Sequence, residues 1–281
     1  MNFKLQIQTH NLNFITHNLN MTTSTRPLIL VTNDDGITSF GIRTLVEVMK
    51  TLGEVVVVAP DSPQSGMGHA ITIGNPLRIE ETDIYGDVKA YECSGTPADC
   101  VKLAKNYILK DRIPDLVVSG INHGSNSSTS VLYSGTMSAA IEAAIEGLPA
   151  IGFSLCDYTP KPDFSHIKEY VKKIAQQVLK KNPPVGVALN VNFPVKSAAP
   201  IKGIKICRQA IAKWHENFDE RHDPNGRRYF WMSGTFINTD TAEDTDEWAL
   251  GNNYISVVPC AYDMTAHYCL GQLNSDWDIL K

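Results

Sequence analysis

Ile29-Leu30-Val31-Thr32-Asn33-Asp34-Asp35-Gly36 is the stretch that decides how this chain is read. An apolar run passes directly into two adjacent acids and a glycine. Neighbouring side chains inside a strand point to opposite faces, so two carboxylates converge on one point only where the strand has ended and the chain turns. Gly36 permits such a turn. Converging carboxylates repel unless a cation lies between them, and hard divalent ions prefer oxygen ligands. The segment predicts a metal site at the carboxyl end of a parallel strand. The alternative is an Asp-rich turn that caps a helix.

The pattern alternates outward from that strand, set at 27–33. Ile42, Leu45, Val46 and Met49 follow the three-four spacing of a helix that Gly53 stops. Glu54-Val55-Val56-Val57-Val58-Ala59 reads as a strand buried on both faces, and a polar excursion follows through residue 94. Thr96-Pro97-Ala98-Asp99 is a helix start, with Asp99 as a dipole partner in the first turn. Strands are expected again at 114–120, 150–155 and 187–192, with helices over about 136–147 and across Ile167 to Val178. This order argues for an α/β fold with a doubly wound, mostly parallel sheet. From about 203 to 253 the pattern changes to short aromatic strands such as Arg228–Met232 between turn residues, and Tyr254–Val258 returns to the sheet. That region predicts C-terminal β-hairpin arms, through which the chain would associate with further copies.

The expected organisation is one α/β domain over 23–281 after a disordered extension at 1–22. The extension holds a tandem duplication, Thr9-His10-Asn11-Leu12-Asn13 and Thr16-His17-Asn18-Leu19-Asn20. It lacks the apolar core and cleavage site of a signal peptide. With 43% hydrophobic residues in 281, a buried core is well supplied. A net charge of −5 gives no basic footprint for a nucleic-acid polymer or an anionic membrane, and no apolar run approaches a membrane span. The six cysteines form no Cys-x-x-Cys pair, which predicts thiols in a reducing cytoplasm.

In an open parallel sheet, ligands collect outside the carboxyl ends of the strands. The first strand leads to Asn33, Asp34, Asp35 and Gly36, and the second to the loop from Asp61 to Gly66. The third leads to Ser119-Gly120-Ile121-Asn122-His123-Gly124-Ser125-Asn126. All three loops carry oxygen or amide ligands and glycines. The third runs on to Tyr133-Ser134-Gly135-Thr136, where a Ser-Gly-Thr turn offers hydroxyls, N–H groups and a helix dipole to an anion. Alone that turn is a commonplace helix cap. Beside an acidic metal site it completes the parts of metal-assisted phosphoryl transfer to water.

These segments resemble the survival protein E (SurE) nucleotidases. The resemblance rests on T-N-D-D-G at 32–36, A-P-D-S-P-Q-S-G at 59–66, G-T-P-A-D-C-V at 95–101, V-V-S-G-I-N-H-G-S-N at 117–126 and Y-S-G-T-M-S-A-A at 133–140. It implies a Rossmann-like fold and a divalent-metal phosphomonoesterase, a 5′-nucleotidase acting on nucleoside monophosphates. Nucleoside 3′-phosphates and short polyphosphate are further candidate substrates. By the same resemblance Asp34, Asp35, Ser65 and Asn122 would be the metal ligands, and Asn33, Gly66, Asn126, Ser134, Gly135 and Thr136 would surround the phosphate. One Mg²⁺ or Mn²⁺ per subunit suits such a ligand set. A homodimer or homotetramer built through the C-terminal arms is also implied. Ser127–Ser130 stand where Gly and Asp are frequent in the family, and Ser62 and Gln64 where basic residues often stand, which bears on substrate choice.

The attacking water would be activated by the metal or by Asp34 or Asp35, the catalytic candidates. His69 and His123 are candidates to protonate the leaving alcohol, or else to bond within their loops, and His267 reads as structural. The rival readings are a nucleotide-sensing module without turnover and a zinc-dependent deacetylase, whose chemistry would want a His where Asn33 stands. No Gly-x-x-x-x-Gly-Lys or Gly-x-Gly-x-x-Gly loop supports an NTPase or a dinucleotide enzyme. Asn126-Ser127-Ser128 formally matches a glycosylation sequon.

Overall fold

Residues 28–31 are fully buried and split between two cores by alternation: Ile29 and Val31 face one cluster, Leu28 and Leu30 the other. A strand that is apolar on both faces must lie in the middle of a covered parallel sheet. The computed structural model, which describes residues 26–277 and Ile279, shows that arrangement. The extension proposed for 1–22 lies outside the described residues.

In chain order the first half comprises β1 (Leu28–Thr32), α1 (Phe40–Lys50), β2 (Glu54–Pro60), β3 (Ile79–Thr82), β4 (Lys89–Cys93), α2 (Pro97–Leu103), β5 (Leu116–His123) and α3 (Gly135–Ile145). The second half comprises β6 (Ala150–Leu155), α4 (Lys168–Lys180), β7 (Val187–Phe193), β8 (Ile204–Ile206), β9 (Ala212–His222), β10 (Arg228–Asn238), α5 (Asp246–Gly251), β11 (Ile255–Ala261) and α6 (His267–Asp276). Nine strands form one sheet in the order β3-β4-β2-β1-β5-β6-β7-β11-β8, parallel except for β3 against β4 and β11 against β7. β9 and β10 form a separate antiparallel ribbon.

Helices cover both faces. α1 and α4 pack Ile42, Leu45, Met49, Val171 and Ile174 onto Ile29, Val31, Val57 and Val118. On the other side α2 and the Ala-rich α3 pack Val101, Ala139, Ala140 and Ala143 against Leu30, Val56 and Val117. Each fully buried aliphatic side chain contributes about 1.5–3 kcal/mol of apolar transfer, so these two layers dominate the stability. The helix start read at Thr96 is a complete capping box. The Thr96 side chain accepts from Asp99 N–H, and the Asp99 carboxylate accepts from Thr96 N–H.

Several boundaries shift from the sequence reading. β3 and β4 lie inside the stretch taken as a polar excursion, and β5 runs on to His123 past a register shift between Ser119 and Asn122. α5 interrupts the region read as strands and turns, and α6 follows β11 where no helix was expected. All six cysteines are free, with Cys93, Cys100 and Cys207 buried. Among the described residues no helix is long and apolar enough to cross a membrane.

The chain leaves β1 toward β2 on one side, and later strands add as β5, β6 and β7 on the other. The topological switch therefore falls between β1 and β5. Their paired ends, Thr32 opposite Ser119, open the crevice in which such sheets bind ligands.

Candidate active site

Three chain segments meet at that crevice. The first is the turn after β1. Gly36 takes φ +90°, as the reading of the turn required, and Ile37 N–H donates to Pro60 O at 2.8 Å, tying this turn to the end of β2. The Asn33 amide nitrogen donates to Gly36 O at 2.9 Å and Ser39 Oγ at 3.0 Å, while its Oδ1 is buried without a hydrogen-bond partner. A polar oxygen in that state is unusual in a folded protein and marks a position suited to a ligand.

Asp34 is 4% exposed and Asp35 half-buried. The Thr136 hydroxyl donates to Asp34 Oδ1 at 2.5 Å, and His123 N–H donates to Asp35 Oδ2 at 3.2 Å. Burial pushes the Asp34 carboxyl up to about 6; the Thr136 bond opposes the rise and the Asp35 charge adds to it. Burial also raises Asp35, against the His123 N–H. No Lys, Arg or His forms a salt bridge with either acid among the described residues. Two desolvated, neighbouring carboxylates without a cationic side chain fit a bound cation.

The second segment follows β2. Gln64 N–H donates to Asp34 O at 2.7 Å and Gly68 N–H to Tyr133 O at 3.1 Å, so Ser65 and Gly66 are strapped between the first and third loops. Both are exposed. The third segment begins at the end of β5. The Asn122 amide nitrogen donates to Gly124 O at 2.8 Å, so its Oδ1 is not engaged by that bond. With Asp34, Asp35 and Ser65 this makes an all-oxygen donor set. Among the described residues no group of three or more His, Cys, Asp or Glu gathers to hold a metal, so a cation here would rely on Ser and Asn oxygens beside the two acids.

α3 starts at the other side of the crevice. Ser134 caps it by accepting from Met137 N–H at 3.0 Å, and the N–H groups of the first turn have no intrahelical partner. Gly135 sits so close that a Cβ there would lie 2.6 Å from Asp34 Cβ and 2.9 Å from its Oδ2. The start of α3 is thus packed directly against Asp34.

Asn126 belongs to a buried polar ladder at the ends of β6 and β7. Its amide nitrogen donates to Ser154 Oγ at 2.8 Å, its N–H to Asn192 Oδ1 at 2.8 Å, and its carbonyl accepts from Asn190 at 2.8 Å. At 6% exposure Asn126 is no glycan acceptor despite the sequon. Ser154, Asn190 and Asn192 escaped the sequence reading. Their signal was present, as two amides two residues apart in an otherwise apolar strand. His69 bonds Glu142 on α3 at 2.9 Å rather than a group in its own loop, and the His123 ring is exposed. His267 pairs with Asp263 at 2.7 Å, away from these loops.

The family model for Survival protein SurE matches residues 29–216. A protein of Cytophaga hutchinsonii named 5′-nucleotidase SurE is 72% identical over 255 residues, covering 91% of this chain and 98% of its own. A Flavobacterium psychrophilum protein of the same name is 61% identical, covering 91% and 99%. The crystal structure of the SurE protein from Aquifex aeolicus superposes with a TM-score of 0.77 at 39% identity, over 89% of this chain and 99% of that one.

Proposed function

Because the chain belongs to the survival protein SurE family, we propose that it is a 5′-nucleotidase, a divalent-metal-dependent phosphomonoesterase that splits nucleoside monophosphates into nucleoside and phosphate. The observation that carries this reading is the bond from Thr136 to Asp34, which holds an anion-binding helix start directly against an acid pair. Neither half alone would be informative. Together they accommodate a phosphate and its counter-cation side by side.

Asp34, Asp35, Ser65 and Asn122 would hold one Mg²⁺ or Mn²⁺, since the donors are all oxygen and zinc would usually recruit His or Cys. When bound, such an ion supplies Lewis acidity toward a phosphate oxygen. Ser134, Gly135 and Thr136 orient the remaining phosphate oxygens through the first-turn N–H groups of α3, with Asn33, Gly66 and Asn126 around them. Asp34 and Asp35 each have one oxygen engaged, by the Thr136 hydroxyl and by His123 N–H, and either could accept the proton of an attacking water through its second oxygen. His69 is held by Glu142, which leaves His123 to protonate the departing alcohol. A deacetylase reading would want a His where Asn33 stands beside the acids. Six free thiols suit the cytoplasm, and the exposed β9–β10 ribbon suits a homodimer or homotetramer.

The test is phosphate release from 5′- and 3′-nucleoside monophosphates and short polyphosphate, each with EDTA, Mg²⁺, Mn²⁺ or Zn²⁺. Release that needs the metal and disappears in Asp34→Ala supports the proposal. Nucleotide binding with no turnover under any metal would instead point to a sensing module.

A further inference from the structure

Ser128 is fully buried and has a left-handed backbone, φ +51°, which is unfavourable for a residue with a Cβ. Its bonds account for a serine there. Ser128 N–H donates to Asp246 Oδ2 at 2.8 Å. The Ser128 hydroxyl lies 3.0 Å from Ala210 O and 2.9 Å from Ala212 O, and its one proton serves this pair of carbonyls. Thr129 Oγ1 donates to Ala212 O at 2.8 Å.

Asp246 closes the same joint from the other side. It is 1% exposed, and its second oxygen accepts Ala210 N–H at 2.9 Å. One buried carboxylate therefore binds both the loop after β5 and the segment that enters the arm. Ala212 is the first residue of β9 and its one buried residue; the strand beyond it is exposed. The arm is thus rooted on Asp246 and on Ser128, which is two residues along the chain from Asn126. On its other side Asn126 is fixed to the ends of β6 and β7 through Ser154, Asn190 and Asn192. A buried, fully bonded linkage of this kind does not slip continuously, so a displacement of the arm root must move Asn126 or break bonds.

We propose that Ser128 and Asp246 are positioning residues that set Asn126 against the bound phosphate and couple the arm to the site. The proposal rests on the reading that Asn126 faces phosphate.

The experiment is a double-mutant cycle between Ser128→Gly and Asn126→Ala in the full-length protein with Mn²⁺. It reads the inhibition constant of inorganic phosphate, KM and kcat for a nucleoside 5′-monophosphate, and thermal unfolding. Glycine keeps the left-handed backbone and removes only the hydroxyl. Ser128→Gly is expected to raise the phosphate inhibition constant and KM about three- to tenfold, as for one lost hydrogen bond. kcat should stay within about twofold, the pattern of lost ground-state binding. In the Asn126→Ala background, Ser128→Gly should add little, because its effect runs through Asn126. An unchanged inhibition constant with only a lower Tm, or fully additive effects, would overturn the coupling. If Asn126→Ala itself leaves phosphate inhibition unchanged, the phosphate role of Asn126 is what fails, and the coupling falls with it. Should Ser128→Gly not fold, Thr129→Val removes the neighbouring bond to Ala212 O and runs through the same cycle with the same outcomes.

Discussion

The Thr136 hydroxyl and the Asp34 carboxylate, 102 residues apart in sequence, are joined by a 2.5 Å hydrogen bond that closes the crevice between β1 and α3. The bond engages Asp34 Oδ1 and fixes the direction in which the second oxygen points. It also locks the first turn of α3 to the strand that carries the acids. A helix start that floated by an ångström would present its N–H groups to the wrong place.

Thr136→Val keeps the shape of the side chain and removes this bond. Groups that orient a metal ligand typically account for 10–100-fold in metal affinity or activity, so Mn²⁺ binding to the variant should weaken by about that factor. Calorimetric titration of the metal-free protein checks it. Affinity equal to wild type would mean that Asp34 is oriented by other means.

Gly135→Ala separates the chemistry from helix stability. Alanine is the better helix former, so α3 itself should lose nothing. Its Cβ, however, would sit 2.6 Å from Asp34 Cβ, and the acid or the helix start must give way. A misplacement of about 1 Å at reacting groups can cost 10²-fold, so kcat/KM should fall by about that much, and overpacking of about 1–3 kcal/mol should lower Tm as well. Activity within threefold of wild type would show that the contact relaxes harmlessly.

Much of this is legible in the amino-acid sequence. The continuous apolar runs of β1 and β2 are what strands covered on both faces require, and the acid pair after β1 read as a turn. β3 was not legible, because Ile79-Glu80-Glu81-Thr82 is a half-exposed edge strand whose acids face solvent. α6 escaped because it buries none of its residues, so its sequence carries no helical stripe. The polar anchors Glu142 and Asp246 were equally silent, whereas Asn190 and Asn192 stood out only as amides in an apolar strand. A buried polar residue looks like any other polar residue until its partner, here 40 to 118 residues distant, is known.

Glu142 supplies a pH-dependent contribution of known sign. It is buried on α3 and accepts from His69 Nε2 at 2.9 Å and Lys102 Nζ at 2.5 Å. Burial alone would raise its carboxyl, but these two bonds outweigh it and hold the group below its usual 4.5. A depressed acid stabilises the fold above its unfolded value and loses that contribution as pH falls through the folded one. Wild type should therefore exceed Glu142→Gln by about 1–2 kcal/mol at pH 7, discounted for the partly exposed partners. The difference should shrink below pH 4.5. Urea unfolding at both ends of that range measures it, and a gap that widened in acid would contradict the assignment.

The β9–β10 ribbon makes the strongest case for self-association. Register pairs Phe218 with Met232 and Trp214 with Phe236, so these side chains share one face of a two-stranded ribbon with Phe230. Phe218 is 63% and Met232 70% exposed. An isolated ribbon of two strands is marginal in water, and an apolar face of this size on a projecting element calls for a covering surface. A second copy of the chain presents the same face and can meet it symmetrically. Light scattering should give two or four times the 31.0 kDa chain mass, and Phe218→Asp with Met232→Asp should return it to one. A single-chain mass for the wild type across micromolar concentrations would remove the arm from this role.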